Sequence, residues 1–562
     1  MLEYIRDLIK KAFTDIGLTV GDDWIIFKSD VADVACIAAF KLSRELRRSP
    51  VEIAEELCSK LKPPDIFSRV EAVRGYLNFY YNYEKLSDIL LREIISGRFF
   101  DIDLGHGAKV VVDYSCPNPG KPMHLGHIRS TIIGEALSRL LEFTGFNVVR
   151  SNYMNDRGLH MGKLIAAIEL WGLPPLDEIE DPEKALMDLY VRFHKASEED
   201  PKLIEKAREW VRRIDMRDPK ALEMLNRIFK ASWKGFSRIY DLLDVRFDEV
   251  VRETEVFMLG KEIVKEALDK GIAFVGENGE VVANLKPHGL PNCVILRSDG
   301  TSLYITSDFG LMKYRFNKHR FDRAIYVTGS EQKLHFKQLF KIMELLGYDY
   351  ARRCIHVPFG LIQLKEGKMS TREGRVIFLK DVLEKGIGMA EKEVLKRNPD
   401  ISGDELKDIA RKVGIGAVKY AILSVENEKD IKFDWGKILK FEGFSGPYLL
   451  YTMVRIKSIL RKAGSFEYRY TISNLSDEEK MLLKKLLLFR LEVERAVEEL
   501  STLPIALYAY DLAKQFSNYY HRHRILANDV EIRSYRLTLI SAIAQVMEKA
   551  LNILSLEAPE RM

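Results

Sequence analysis

The sequence predicts an α/β protein built around an open parallel sheet that a helical insertion interrupts, with an α+β unit before it and an all-helical unit after it. Three observations carry this. The short, β-branched, apolar run "KVVVDYS" at 109 is followed by a loop, an amphipathic helical stretch over about 125–143 and a second strand, "NVVRSNYM", the order of a buried parallel β-α-β unit. Sheet-like pattern lapses near 164 and resumes at "NCVILRSDGTSLYITSD", "RAIYVTGSEQ" and "CIHVPFGLIQL". From about 435 to the end only helical periodicity is found.

Taken in order, residues 1–105 make the first unit. "MLEYIRDLIKKAF" reads as an amphipathic helix, "VADVACIAAFKLSREL" and "SPVEIAEELCSKL" as further helix, and "GYLNFYYN" as a strand. Ser49 and Pro50 have the residue types of an N-cap and a first helical turn. "SGRFFDIDLGHG" is a linker. Residues 106–163 carry the first half of the sheet, whose helix Gly145 stops. Residues 164–290 are a charged helical insertion with Asp-Pro helix starts at 181 and 200. Residues 291–380 complete the sheet, 381–434 form a helical connector, and 435–562 a helical bundle.

With 562 residues, 47% of them hydrophobic, the chain can bury several cores. The 87 basic and 83 acidic side chains leave a formal charge of +4, so any nucleic-acid surface has to be local. The five cysteines, Cys36, Cys58, Cys116, Cys293 and Cys354, make no C-x-x-C pair; neither a zinc ribbon nor a disulfide framework is expected. No run approaches the roughly 20 apolar residues of a membrane span. These features lead to the expectation of a soluble cytoplasmic protein with no resident metal and no membrane partner.

Two stretches carry chemistry. "NPGKPMHLGHIRST", 118–131, sets His124 and His127 at a helix start beyond the carboxyl end of the first strand, where unpaired N–H groups and the helix dipole favour phosphate. Gly126 removes a side chain where a nucleoside would approach. "KEGKMSTREG", 365–374, offers Lys368, Ser370 and Arg372 on a polar loop bounded by glycines, suited to closing over a pyrophosphate leaving group.

The H-x-G-H and K-M-S stretches together resemble the two signatures of class I aminoacyl-tRNA synthetases. "DYSCPNPGKPMHLGHIRSTIIGEAL", "NYMNDRG", "SDGTSLYITSD", "GSEQKLHF", "EGFSGPYLLYTMVRI" and "LSLEAPERM" resemble, in order and to the last residue, the arginyl-tRNA synthetases. The resemblance implies a Rossmann-like catalytic domain, a unit over 1–105 that contacts the tRNA corner and a bundle over 435–562 that reads the anticodon. The implied reaction joins L-arginine to ATP as arginyl-adenylate, releases pyrophosphate, and passes the acyl group to the 3′-terminal adenosine of tRNA(Arg), with tRNA needed for the first step. ATP and its Mg2+ are the implied cofactors and a monomer the implied state.

Residue roles follow by match. His124, His127 and Lys368 are the implied catalytic groups, joined by Lys121, which stands in for the second lysine of the K-M-S loop where this chain has Thr371. Gly126, Gly329, Glu331 and Ser370 complete the ATP site. Asp113 and Asp308 are the implied guanidinium carboxylates, with Tyr304 beside the side chain and Asn118, His124 and Gln332 on the α-amino and carboxylate ends. Tyr76, Asn78 and Phe79, and in the bundle Tyr448, Tyr519 and Tyr520, are the implied tRNA contacts. A small-molecule adenylyltransferase would lack the K-M-S-T-R loop, the insertion and the helical tail. A silent relative would be expected to lose a histidine or a carboxylate that this chain keeps.

Overall fold

The computed structural model describes residues 1–28, 31–173, 175–176, 179, 181–364 and 377–562. The first unit runs α1 (Leu2–Thr14), β1 (Ile25–Ile26), β2 (Val34–Cys36), α2 (Ala38–Leu46), α3 (Pro50–Lys60), β3 (Phe67–Val73), β4 (Tyr76–Tyr81) and α4 (Tyr83–Ile95). Its antiparallel sheet has the order β1-β2-β4-β3. The stretch 31–46, expected to be helical, opens instead as β2, where Val34, Ala35 and Cys36 pair with Phe79, Asn78 and Leu77; pairing with a neighbouring strand overrides local periodicity. Ser49 caps α3, its hydroxyl accepting the Val51 N–H at 3.3 Å, with Pro50 in the first turn.

The central sheet contains β5 (Lys109–Asp113), β6 (Asn147–Met154), β7 (Glu249–Arg252), β11 (Arg323–Gly329) and β12 (Cys354–Phe359). All are parallel, in the order β12-β11-β5-β6-β7. Helix α5 (Leu125–Phe143) joins β5 to β6, and Gly145, at φ +84°, ends it where a Cβ would lie 2.2 Å from Asp103 Oδ1. The chain leaves β5 toward β6 on one side and returns as β11 on the other, which makes the β5/β11 boundary the switch point of the sheet. Ligands sit there, beyond the carboxyl ends of the strands.

The insertion supplies α6 (Leu159–Trp171), α7 (Pro182–Glu199), α8 (Lys202–Asp215) and α9 (Pro219–Leu242). Leu164, Ile168, Leu186, Phe193, Trp210 and Leu225 close a core of their own. Two features depart from the sequence expectation. The segment 164–290 contributes β7 to the central sheet as its edge strand. "SLYITSD" is helical rather than strand-like: after α10 (Glu253–Asp269), β8 (Ala273–Val275) and β9 (Val281–Ala283), β10 (Cys293–Leu296) joins only an antiparallel β10-β9-β8 sheet, and α11 (Tyr304–His319) follows. The Thr306 hydroxyl accepts the Leu303 N–H at 2.9 Å and donates to Ile295 O, so a β-branched residue with a strand's propensity serves as the start of a helix.

After α12 (Lys333–Leu345), β13 (Ile362–Leu364) pairs in parallel with β14 (Ile431–Phe433) across α13 (Leu379–Arg397) and α14 (Gly403–Leu423); the connector expected to be wholly helical therefore contains one strand. The rest is α15 (Trp435–Ile438), α16 (Gly446–Ala463), α17 (Asp477–Leu487), α18 (Phe489–Glu498), α19 (Leu503–Arg522) and α20 (Val530–Ile553). This bundle packs back on the first unit: the Ser87 hydroxyl donates to Tyr470 O at 2.7 Å, and Arg92 lies over the Tyr470 ring at 4.1 Å. Phe489 of the bundle meets Phe99, Phe100 and Phe143, joining the bundle to the linker and to α5 through one ring. Among the described residues no helix is long and apolar enough to cross a membrane.

Candidate active site

The two histidines sit at the switch point as the start of α5. His124 is the N-cap, and its Nδ1 accepts the Gly126 N–H at 3.0 Å. His127 Nδ1 accepts the His124 N–H at 3.1 Å, and the ring centroids are 4.0 Å apart. With both Nδ1 atoms used as acceptors, the ring protons of the neutral tautomers are on Nε2. Burial, then the neighbouring Lys121, lowers the His124 pKa; burial, then His124, lowers that of His127 to about 3. The pair thus offers two neutral N–H donors rather than two cations at pH 7. Gly126 has a local reason beyond room for a nucleoside: a Cβ there would lie 2.8 Å from His124 Cε1.

The second signature loop, with Lys368, Ser370, Thr371 and Arg372, lies outside the described residues. The chain that follows it is tied to the histidines by backbone: the Leu125 N–H donates to Ile377 O at 3.1 Å and the Leu379 N–H to Met123 O at 2.9 Å. Lys121 lies over the Tyr190 ring of α7 at 4.6 Å, and burial, then Lys163, lowers its pKa. On the other flank, the buried Arg129 bolts α5 to the 426–429 turn through the carbonyls of Lys429 (2.6 Å) and Glu426 (3.1 Å).

Beside this site three carboxylates converge from β5, α10 and α11. Asp308, half-buried, accepts from His335 Nε2 at 2.6 Å. Asp113 is buried and already paired: its Oδ1 accepts from Arg315 Nη2 at 2.5 Å, and Arg315 also donates to Ser151 Oγ at 3.0 Å. This corrects the expectation of two open carboxylates, because a carboxylate at the end of a buried strand is retained only with a compensating charge.

The open partner for Asp308 is Glu253, the first residue of α10, to which the sequence offers no pointer. Its Oε1 accepts the Ser307 hydroxyl at 2.6 Å, while Oε2 is buried with no hydrogen-bond partner among the described residues. Burial pushes its pKa up to about 7, against the Ser307 hydrogen bond and Arg157, with Asp156 and Asp308 adding to the rise. The Tyr153 hydroxyl, on β6, is buried and unpartnered as well. Asp156 fixes Glu253 in place by capping α10, accepting the Thr254 N–H at 3.0 Å and the Thr254 hydroxyl at 2.8 Å. Tyr304 is 69% exposed at the start of α11 and Asn118 is half-buried. Glu331 and Gln332 are exposed on the turn after β11, where a Cβ on Gly329 would lie 2.2 Å from the Glu331 carboxylate.

The tRNA candidates divide. Tyr76 is 41% exposed and meets Phe40, itself exposed, at 4.8 Å. Asn78 and Phe79 are buried, because β4 lies between β2 and β3; Phe79 is core, which corrects its expected role, and Asn78 is covered. Tyr519 is likewise core, its hydroxyl donating to Glu479 Oε1 at 3.0 Å. Tyr520 is at the surface with Arg455 at 5.2 Å over its ring, and the half-buried Tyr448 stands 5.8 Å from Tyr510, which meets the exposed Phe444 at 4.9 Å. Phe444, Tyr510 and Arg455 thus join a patch that the sequence pattern had located through its tyrosines alone.

A parallel sheet with a histidine pair at the start of the switch-point helix, and, tied to that start by backbone, the chain that follows the second signature stretch, together define a class I aminoacyl-tRNA synthetase. The comparisons agree: the family model for the catalytic domain of class I (R) tRNA synthetases matches residues 86–435, the arginyl-tRNA synthetase N-terminal domain matches 3–81, and the DALR anticodon-binding domain matches 449–562. The chain belongs to the arginyl-tRNA synthetase family. It is 38% identical to an arginine–tRNA ligase of Halothermothrix orenii, over all of this chain and 99% of the relative. It is 36% identical to one of Clostridioides difficile, over 95% and 94%. The Thermus thermophilus arginyl-tRNA synthetase structure superposes with a TM-score of 0.82 at 26% identity, covering 100% of both chains.

Proposed function

We propose that the protein charges tRNA(Arg) with L-arginine by way of an arginyl-adenylate, using the residues assembled at the β5/β11 switch point. The observation that carries the amino-acid choice is the pair Asp308 and Glu253, of which Glu253 has a buried oxygen with no hydrogen-bond partner among the described residues. A guanidinium satisfies two carboxylates with a planar fork of N–H donors, whereas a lysine ammonium presents a single point charge. Tyr304 lies beside the substrate side chain, and Asn118, His124 and Gln332 hold its α-amino and carboxylate ends. Asp113 supports the pocket through Arg315.

The protein's contribution to adenylate formation is positioning and charge stabilisation. The Nε2–H groups of His124 and His127 donate to ATP phosphate oxygens as charge develops, Gly126 and Gly329 border the nucleoside, and Glu331 takes the ribose hydroxyls. Because both imidazoles are neutral, the cations come from Lys121, from Lys368 on the loop, and from the Mg2+ that accompanies the nucleotide, while the Ser370 hydroxyl adds a hydrogen bond. Replacing Lys121 by alanine is expected to slow arginine activation about tenfold; an unchanged activation rate removes it from the site.

The division into a 1–105 tRNA-corner unit, a catalytic unit of 106–163 and 291–380 around the 164–290 insertion, a 381–434 connector and a 435–562 anticodon unit is part of the proposal. So are the tRNA contacts through Tyr76, through Tyr448 and Tyr520 with Arg455, the monomeric state and the cytoplasmic location. The test of function is aminoacylation with arginine, lysine and cysteine side by side, where only arginine is expected to be transferred. ATP–pyrophosphate exchange is expected to stay near background until tRNA(Arg) is added. Robust exchange without tRNA would show that activation here proceeds without it.

A further inference from the structure

We propose that Arg157 is a positioning residue for the amino-acid pocket: held between Asp215 of the insertion and Glu253, it fixes the Glu253 carboxylate at the guanidinium site and sets how readily that carboxylate accepts the substrate's charge. This rests on the assignment of Glu253 to the guanidinium.

Arg157 follows the Asp156 that caps α10, so the cap itself delivers the guanidinium to Glu253. Its Nε and Nη2 donate to the two oxygens of Asp215, at the end of α8, at 2.7 and 2.6 Å. Its Nη1 lies 3.7 Å from Glu253 Oε1, and its face covers the Phe257 ring at 4.4 Å. Arg157 is buried. Held by a two-point fork, a ring and a carboxylate, the guanidinium has one geometry available to it.

The charges around it are unequal. Asp113, Asp156, Asp215, Glu253 and Asp308 face Arg157, Arg252 and Arg315; Arg252 is committed to Asp156 at 2.6 Å and Arg315 to Asp113. Arg157 is therefore shared by Asp215 and Glu253, and the pocket is short of positive charge until a cationic substrate enters. The groups facing Glu253 are Ser307 and Asp308 of α11, Tyr153 of β6, and Asp156 and Arg157 of the following loop. Of these only Arg157 favours the ionised carboxylate by charge.

The sign follows from the raised pKa of Glu253. Below about 7 the free carboxyl is protonated and binds a cation weakly, so kcat/KM for arginine rises with pH and levels off above the bend. Removing Arg157 removes a cation next to Glu253, so the bend moves to higher pH.

The test is aminoacylation at saturating ATP and tRNA(Arg), with arginine varied at pH values from about 5.5 to about 9, up to about two units on either side of neutrality, for wild type, Glu253→Gln, Arg157→Lys, Arg157→Met and the double variant Arg157→Met/Asp215→Asn. The double variant leaves no unpaired Asp215 charge to unfold the chain, and melting temperature checks this. Wild type should bend near 7 and Glu253→Gln should show no bend, which assigns the bend to Glu253. Both Met variants should bend about one pH unit higher, with arginine KM at pH 7 raised about tenfold. Their kcat and ATP KM should change less than about twofold, and Arg157→Lys should move the bend most of the way back. A bend that stays at the wild-type pH in the folded double variant, while Glu253→Gln abolishes it, overturns the proposal. If Glu253→Gln alters neither the bend nor arginine KM, the guanidinium assignment of Glu253 itself falls, and the role of Arg157 with it.

Discussion

Asp308→Asn raises the arginine KM by about 100-fold, roughly 2.7 kcal/mol, and leaves the ATP KM within about threefold. The substitution keeps the shape of the side chain and an oxygen for His335 Nε2, which now donates to Asp308 Oδ2 at 2.6 Å. What it removes is one of the two charges opposite the substrate guanidinium. A cation in a half-buried site facing an amide keeps its desolvation cost while losing most of its electrostatic return. The ATP groups lie at the start of α5 and on the turn after β11, so nucleotide binding is not directly disturbed. Steady-state kinetics with each substrate varied separately check this; an equal rise in both KM values would place Asp308 in a general structural role.

His127→Asn lowers the rate of adenylate formation by about 10²–10³-fold with a melting temperature within a few degrees of wild type, about 4 °C at most. Asparagine can still accept the His124 N–H, the bond that His127 Nδ1 makes at 3.1 Å, so the helix start survives. The Nε2–H donor is lost, and with it a contact that strengthens only as charge builds on the phosphate. Because burial lowers the pKa of both histidines, their donor role does not depend on protonation. His127, with its pKa lowered to about 3, accordingly contributes no acid limb to activation between about pH 6 and 8. Pre-steady-state measurement of the first step, with tRNA present, checks both points.

The two signature stretches, the parallel unit around "KVVVDYS" and the helical tail were legible in the sequence because each rests on a local pattern. A β-branched run, a 3.6-residue apolar period, a glycine stop and a proline in the first turn are properties of neighbouring residues, and β5, α5, α3 and the bundle appear where they indicate. Val34–Cys36 and Tyr304–Thr306 were not legible. Both are β-branched or apolar segments whose state depends on whether a partner strand lies alongside: β4 pairs with the first, whereas the second begins a helix.

The site divides in the same way. The sequence by itself determined that His124 and His127 start a helix and that Gly126 lies between them; that Asp308 follows Tyr304 by one helical turn was decided by α11, in a stretch whose local pattern is that of a strand. Only the tertiary structure decided which carboxylates are open. Asp113 is paired through Arg315, about 200 residues further on, and Glu253, on the α10 that Asp156 anchors from about 100 residues away, has an oxygen with no partner among the described residues. The same holds for the aromatic side chains: Phe79 and Tyr519 look as suited to a nucleic acid as Tyr76 and Tyr520 until neighbouring strands and helices bury the first two. Charge pairing and burial depend on distance in space, and a linear pattern encodes that distance only within one helix or one strand.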